Sequence, residues 1–189
     1  MDPKLILIIA FSYLYVFFEF VMSRRQSRGR TIDTSGDKGS IWVLICSIVI
    51  GFALSFRIGA TPFGRIHYWN AFFAAGVVLV VTGLSIRIGA ILTLKKHFTY
   101  TVTKLEQHEL IDTGFYRQIR HPGYLGQLII FLGIAISLSN WLSVLGMMLP
   151  VTTGFLYRIG VEETFMQEQL GRKYMEYKRR TRRLIPKLY

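Results

Sequence analysis

Cysteine is nearly absent from this sequence, and acidic residues are scarce. The only cysteine, Cys46, lies within an apolar stretch, which leaves neither a disulfide framework nor a cysteine-ligated zinc site. Eleven Asp and Glu stand against 23 Lys and Arg, for a formal net charge of +12. HExxH and CxxC spacings are also missing, and His108 and Glu109 are adjacent, so they do not share a helix face. We therefore expect no metal site.

The chain is instead rich in long apolar stretches. About half of its 189 residues, 51%, are hydrophobic, which is more than a soluble domain of this size contains. A nucleic-acid-binding protein with this positive charge is rarely so apolar, so nucleic acid is not an expected partner. We predict a single all-α integral membrane domain over residues 1–189. The first apolar stretch precedes its basic cluster, unlike a secretory signal, and is interpreted as a retained membrane helix.

Five stretches are candidates for transmembrane helices, which need about 20 mostly apolar residues. They are Leu5–Met22, Ile41–Phe56, Trp69–Leu94, Tyr124–Leu138 and Trp141–Tyr157. The last two are short, and only Ser139 and Asn140 separate them, which predicts a tight antiparallel helix hairpin. Whether these two helices cross the whole bilayer or form a buried hairpin is left open by their length.

Lysine and arginine are concentrated on one predicted side of the membrane. The loop after the first span, the segment 95–121 and the C-terminal segment 158–189 are strongly basic, whereas the other side has Lys4, Arg57 and Arg65. By the positive-inside rule, the N-terminus lies outside and the C-terminus is cytosolic. We predict that 95–121 is a cytosolic ligand-binding segment and that 158–189 forms a cytosolic helix and tail, whose basic end contacts anionic membrane lipids.

Charged residues near the predicted membrane surface are the first candidates for function, because charge is costly there unless it is paired or used. Arg158 and Glu162 are four residues apart and share a helix face. They form either a structural ion pair or two ligands of one polar pocket. Pro122 suits the first turn of a helix, and it turns the backbone of His121 away from the helix line. Free N–H groups at this helix start are suited to a polar ligand.

Two motifs identify a family. The stretch "RHPGYLG", followed by "EETFMQEQLGRKYMEYKRRTRRLIP", resembles the isoprenylcysteine carboxyl methyltransferases and their prokaryotic relatives over about residues 84–187. The wider group contains phospholipid methyltransferases, and sterol reductases share a similar C-terminal region. The resemblance implies an integral membrane, S-adenosylmethionine-dependent methyltransferase, in which the cytosolic loop and C-terminal helix form the cofactor pocket.

The resemblance also implies roles for individual residues. It places the cofactor against residues of the cytosolic loop, the helix start and the C-terminal helix: His108, Glu109, Leu110, Ile111, Tyr116, His121, Pro122, Gly123, Tyr124 and Glu162. It assigns Arg158 to the substrate side, where we expect it to act as the catalytic residue that holds a carboxylate. The chain reads "LKKHF" where many relatives have Leu-Gly, so contacts from Lys96, His97 and Phe98 are not carried over.

The expected reaction is methylation of a lipid-tailed acceptor, most simply the carboxylate of an isoprenylated cysteine or an analogue. A carboxylate is already ionised near neutral pH, so this reaction needs no general base. Phospholipid, amine or thiol acceptors are the enzymatic alternatives, and a reductase would require a nicotinamide cofactor instead. The non-enzymatic alternative is a membrane scaffold or transporter component, in which Arg158, Glu162 and His121 are packing charges.

Overall fold

The computed structural model describes residues 3–27, 35–94 and 110–186. These residues form six α-helices in chain order: α1 Pro3–Ser27, α2 Ser40–Gly59, α3 Trp69–Leu94, α4 Pro122–Ser137, α5 Trp141–Leu170 and α6 Arg172–Arg180. Short 3-10 helices, Ser35–Asp37 and Gly114–Arg117, precede α2 and α4. The predicted all-α membrane fold is confirmed.

All five predicted spans are helices. Helices α1, α2, α3 and α5 are long and apolar enough to cross a membrane, whereas α4 is an apolar helix of 16 residues. At a rise of about 1.5 Å per residue, α4 is about 24 Å long, somewhat shorter than a typical hydrocarbon core of about 30 Å. Helix α5 continues past the expected membrane exit at Tyr157 as far as Leu170. It thus carries residues 158–170 as a rigid extension of the span.

Glycines allow α3 and α4 to pack with their backbones almost in contact. A Cβ atom on Gly83 would lie 2.5 Å from the carbonyl oxygen of Gly126, and one on Gly76 would lie 2.5 Å from that of Gly133. No larger residue fits at these crossings without a backbone shift. In a membrane, where lipid removes most of the hydrophobic drive between helices, such close packing is a main source of helix association.

The α4–α5 hairpin turns on Ser139 and Asn140. Ser139 has a φ of 51°, and the Asn140 side chain accepts hydrogen bonds from the backbone N–H groups of Leu142 and Ser143, capping α5. The Asn140 amide also donates to the carbonyl of Phe63, 2.7 Å away, in the loop between α2 and α3. The α2–α3 and α4–α5 connections therefore lie together at one end of the bundle.

The opposite end of the bundle is closed by the C-terminal segment. The backbone N–H of Arg120 donates to the carbonyl of Arg182 at 2.7 Å, and that of His121 donates to the carbonyl of Arg183 at 3.0 Å. Tyr177 on α6 donates its hydroxyl hydrogen to the carbonyl of Tyr116, 2.7 Å away. These contacts hold the chain after α6 against the start of α4, and they bring the two predicted cytosolic segments together.

Candidate functional site

The site lies where the N-terminal end of α4 meets the extension of α5. His121 precedes α4 with φ −123° and ψ 56°, and Pro122 occupies the first helical turn. Both features agree with the sequence prediction, because the ring of Pro122 is compatible with the first turn but forces the preceding residue out of helical geometry. The side chain of His121 consequently points toward α5.

His121 lies between the carboxylates of two adjacent residues of α5. Its Nδ1 is 3.4 Å from Oε2 of Glu162, and its Nε2 is 3.5 Å from Oε1 of Glu163. The imidazole also stacks on the ring of Tyr124, with centroids 5.5 Å apart. Burial disfavours the charged imidazole, but the two carboxylates outweigh it and raise the pKa of His121 above its ordinary value.

Glu163 connects the helices to the C-terminal tail. Its Oε1 accepts a hydrogen bond from Arg120 Nε at 2.7 Å, and its Oε2 accepts one from Arg183 Nε at 3.2 Å. Lys178 Nζ lies 3.6 Å from the same carboxylate. The negative charge of this buried carboxylate is fully compensated by its cationic neighbours. We therefore assign Glu163 a structural role. Sequence reasoning did not include it among the site residues.

Glu162 has a different environment, although it is adjacent to Glu163. Its side chain is 21% exposed, whereas that of Glu163 is 3% exposed. Among the described residues, neither Glu162 Oε2 nor His121 Nε2 has a partner with hydrogen-bond geometry, and both atoms are buried. Buried polar atoms of this kind are rare in folded proteins and are often completed by a ligand or water. Glu162 is therefore the carboxylate of this pair that is suited to a ligand.

Arg158 is buried one turn before Glu162. Its Nη1 donates to the carboxylate of Asp37 and to Oγ of Ser40, which is 2.6 Å away. Its Nε donates to the Tyr124 hydroxyl at 3.4 Å. The ion pair that Arg158 forms with Asp37 was not predicted from the sequence, because helical spacing suggests only Glu162 as its partner and Asp37 lies 121 residues away.

Among the predicted cofactor residues, Tyr116 precedes His121 most closely in the chain. It is buried in the 3-10 helix before α4, and its pKa is raised well above the ordinary value by burial, so its hydroxyl stays neutral. Gly114, at the start of this 3-10 helix, has a φ of 58°, which glycine adopts without the strain that a Cβ atom would cause.

The remaining predicted cofactor contacts are only partly described. Leu110 and Ile111 are partly buried on the approach to the 3-10 helix, and Pro122 and Gly123 are buried in the first turn of α4. A Cβ atom on Gly123 would lie 2.8 Å from Arg87 Nη1, so a larger residue there would require the end of the Arg87 side chain to move. His108 and Glu109 lie outside the described residues, as do Lys96, His97 and Phe98. Within residues 3–27, 35–94 and 110–186, no His, Cys, Asp and Glu side chains form a group suited to a metal ion.

Residues 71–173, more than half of the chain, match the model of the phospholipid methyltransferase family. A probable protein-S-isoprenylcysteine O-methyltransferase from Oryza sativa subsp. indica is 37% identical over 122 residues, 64% of this chain and 63% of the relative. Protein-S-isoprenylcysteine O-methyltransferase B from Arabidopsis thaliana is 33% identical over 64% of this chain and 61% of the relative. The corresponding protein from Homo sapiens is 31% identical over 59% and 40%.

The fold has a solved counterpart. The structure of the eukaryotic intramembrane Ras methyltransferase, an isoprenylcysteine carboxyl methyltransferase, matches the whole of this chain and 69% of its own, with a TM-score of 0.69 and 23% sequence identity. The matches span less than two thirds of the length of the curated relatives.

Fold and site together define a multi-pass helical membrane protein with a buried acidic and basic cluster at one end of its bundle. The chain belongs to the phospholipid methyltransferase family. The resemblance to isoprenylcysteine carboxyl methyltransferases that the two motifs indicate is confirmed by these relatives.

Proposed function

We propose that the protein is an S-adenosylmethionine-dependent methyltransferase that methylates the carboxylate of a lipid-tailed acceptor, most simply an isoprenylated cysteine or an analogue. The observation that carries this proposal is the placement of Glu162 beside the imidazole of His121 with the buried guanidinium of Arg158 one turn away. One site thus offers an anionic group for a cationic methyl donor and a cationic group for an anionic acceptor. Its location at the end of apolar helices suits an acceptor with a lipid tail.

The residues present fit the methyl donor. The carboxylate of Glu162, whose side chain is 21% exposed, supplies an acceptor for an ammonium or hydroxyl group. We assign the neighbouring contacts to Tyr116, to the turn from His121 to Tyr124, and to Leu110 and Ile111, which precede the 3-10 helix. The family resemblance adds His108 and Glu109. When bound, S-adenosylmethionine supplies a methyl group on a sulfonium, which an acceptor carboxylate oxygen takes as the carbon–sulfur bond breaks, with no proton moved.

The acceptor side is assigned to Arg158. Its guanidinium can hold a carboxylate through two N–H groups, which fixes the orientation of the attacking oxygen. Alignment of nucleophile and donor is the main task of the protein in such a displacement, together with exclusion of water. Burial of Arg158, which is 1% exposed, serves both purposes.

An amine acceptor, such as a phospholipid headgroup, is the second candidate, because the description of the family names phospholipids. An amine has to lose a proton before or during methyl transfer, and this requires a base. The carboxylate neighbours of His121 raise its pKa and so favour its charged form, which cannot take a proton from an amine. The charge distribution of the site therefore favours a carboxylate acceptor over an amine. A scaffold or transporter component would bind no methyl donor.

The decisive experiment uses the full-length protein purified in detergent. We expect S-adenosylhomocysteine to bind in calorimetry and the Glu162→Gln and His121→Gln variants to bind at least about tenfold more weakly, which corresponds to the loss of about 1.4 kcal/mol. Glu176→Gln, an exposed residue of α6, is the matched control and should bind normally. If both Glu162→Gln and His121→Gln bind S-adenosylhomocysteine as tightly as the wild type, these two residues do not form the cofactor pocket.

The acceptor is identified in the same preparation by transfer of a radiolabelled methyl group. We expect transfer to N-acetyl-S-farnesyl-cysteine and not to phosphatidylethanolamine. Transfer to the phospholipid alone would establish the amine alternative, while leaving the methyltransferase assignment in place.

A further inference from the structure

Asp37 forms a buried ion pair with Arg158, the residue to which the acceptor is assigned. It ends the 3-10 helix Ser35–Asp37, and its carboxylate accepts a hydrogen bond from Nη1 of Arg158. Asp37 is 3% exposed and Arg158 is 1% exposed, so the pair is shielded from water. The charge of Arg158 that the acceptor would use is thus already paired with a carboxylate of the protein itself.

The Asp37 carboxylate is held in place from a second direction. Its Oδ2 accepts a hydrogen bond from the backbone N–H of Ile41 at 3.1 Å, in the first turn of α2, and its Oδ1 accepts one from Ser40 Oγ at 3.3 Å. Negative charge at a helix N-terminus is favourable, so α2 contributes to holding Asp37 at this position. The contact with Arg158 joins α2 to α5 at the site.

Two carboxylates that share one buried guanidinium repel each other. The low effective dielectric of a buried site strengthens this repulsion, and one guanidinium charge compensates only one carboxylate. An acceptor carboxylate that binds Arg158 must therefore displace Asp37 or bind against its charge. A neutral methyl ester does not compete in this way, and Asp37 can then pair with Arg158 undisturbed.

We propose that Asp37 is a specificity-determining residue, an internal carboxylate that competes with the carboxylate of the acceptor for Arg158. It lowers the affinity of the site for the acid relative to the methyl ester, and it returns to Arg158 once methylation has removed the charge of the acceptor. Asp37 thereby shortens the time for which a carboxylate ligand stays bound to Arg158 without being methylated. This inference rests on the proposed function, because it takes the acceptor to be a carboxylate.

The test compares an acid and its methyl ester on the same protein. N-acetyl-S-farnesyl-cysteine and its methyl ester are titrated by calorimetry into full-length protein in detergent, with S-adenosylhomocysteine present. Asp37→Asn keeps the size of the side chain and an oxygen for the Ile41 N–H but removes the charge. We expect its affinity for the acid to rise at least about fivefold, in the range of ordinary coupling between sites, with unchanged affinity for the ester.

Two matched variants separate competition from general loss of a buried contact. Glu19→Gln removes the partly buried carboxylate of another ion pair, whose two oxygens accept hydrogen bonds from the buried Arg87 at 3.1 and 3.0 Å. Ser40→Ala removes an uncharged hydrogen-bond partner that Arg158 and Asp37 share, while the Ile41 N–H still holds the Asp37 carboxylate. Neither variant should change the ratio of acid to ester affinity. Asp37→Ser, which also keeps an oxygen at the start of α2, repeats the test if Asp37→Asn does not fold.

Each outcome is informative. An unchanged affinity ratio in the Asp37 variants, or weaker binding of the acid, would overturn the inference and leave Asp37 as a support of α2 and Arg158. If the wild type binds neither farnesylated ligand, both the inference and the carboxylate-acceptor proposal fail. If the wild type binds and methylates the acid while the ratio does not change, only the inference fails.

Discussion

At the residue scale, Glu162 and Glu163 show how adjacent residues of one kind acquire different tasks. Successive side chains on a helix point about 100° apart, so the two carboxylates lie on either side of His121. Glu163 faces Arg120, Arg183 and Lys178 and is compensated by them. Glu162 has a buried oxygen without a hydrogen-bond partner among the described residues. The difference arises from the neighbours and not from the residue type.

The protonation of His121 gives a prediction at this scale. Its folded-state pKa is raised above the unfolded value of about 6.5 by Glu162 and Glu163, against the effect of burial. Arg120, Lys178 and Arg183, which face Glu163, act against this rise. The charged imidazole stabilises the fold fully below the unfolded pKa, and this contribution is lost as the pH rises through the folded-state pKa.

We therefore expect the melting temperature of the wild type to fall, relative to that of His121→Gln, as the pH increases from about 6 to about 9. Thermal unfolding in detergent, followed by intrinsic fluorescence, measures the two melting temperatures. Because other groups titrate in both proteins, their effect cancels when the two melting temperatures are subtracted. His67→Gln is the control, because His67 is exposed in the loop before α3. A constant difference between wild type and His121→Gln across this range would contradict the prediction.

At the element scale, contact between α3 and α4 positions the start of α4, and with it His121. The two helices run alongside each other from Gly76 and Gly133 at one end to the region of Arg87 and Gly123 at the other. Because the crossings involve backbone atoms, a small error in this packing would shift the whole α4 helix. The glycines therefore contribute to the geometry of the site, because His121 lies only about one and a half turns from Gly126 at the nearest crossing.

Replacement of Gly83 by alanine tests this contact. The new Cβ would lie 2.5 Å from the Gly126 carbonyl oxygen, so the helices must separate, and overpacking of this kind costs about 1–3 kcal/mol. The higher helix propensity of alanine offsets part of this cost, by about 1 kcal/mol. We expect a lower melting temperature and weaker S-adenosylhomocysteine binding, measured on the same detergent sample.

Gly160→Ala provides the matched comparison. Gly160 lies in α5, and a Cβ atom there would have no neighbour within 4 Å. This variant should be as stable as the wild type or more stable, because it gains helix propensity without a collision. Equal effects of the two substitutions would show that the close α3–α4 approach does not control stability.

At the scale of the whole molecule, the two ends of the bundle differ in chemistry. One end holds the α2–α3 and α4–α5 connections, joined through Asn140 and through the N–H of Ile66, which donates to the Ser139 carbonyl at 2.7 Å. The other end holds the candidate site and the basic C-terminal segment. We propose that the site end is cytosolic, because lysine and arginine are concentrated there, and that the N-terminus lies outside.

Cysteine labelling tests this orientation. In a Cys46→Ser background, Tyr68→Cys introduces a thiol in the exposed α2–α3 connection, and Arg179→Cys introduces one on exposed α6. We expect a membrane-impermeant maleimide to label the first variant on intact cells and the second only after permeabilisation. The reverse pattern would invert the proposed orientation and move the site to the outer face.

The sequence by itself determined the five apolar helices and their order. Apolar length is a local property, so Trp69–Leu94 was located to the residue, and the Ser139–Asn140 turn fixed α4 and α5 as neighbours. The motif from Arg120 to Tyr124 likewise identified the start of α4, because proline restricts the backbone wherever it occurs.

Only the tertiary structure decided which charges are paired. Helical spacing made Glu162 the expected partner of Arg158, but the fold brings Asp37 to Arg158 from the beginning of α2. In the same way, Arg120, Lys178 and Arg183 converge on Glu163 from separate segments. Ion pairing depends on the distance between side chains, and these partners are far apart in the sequence. Helical periodicity relates only residues within one helix, so it does not predict such distances. The fold leaves Glu162 suited to a ligand. It also pairs Arg158 with Asp37, the proposed competitor of the acceptor carboxylate.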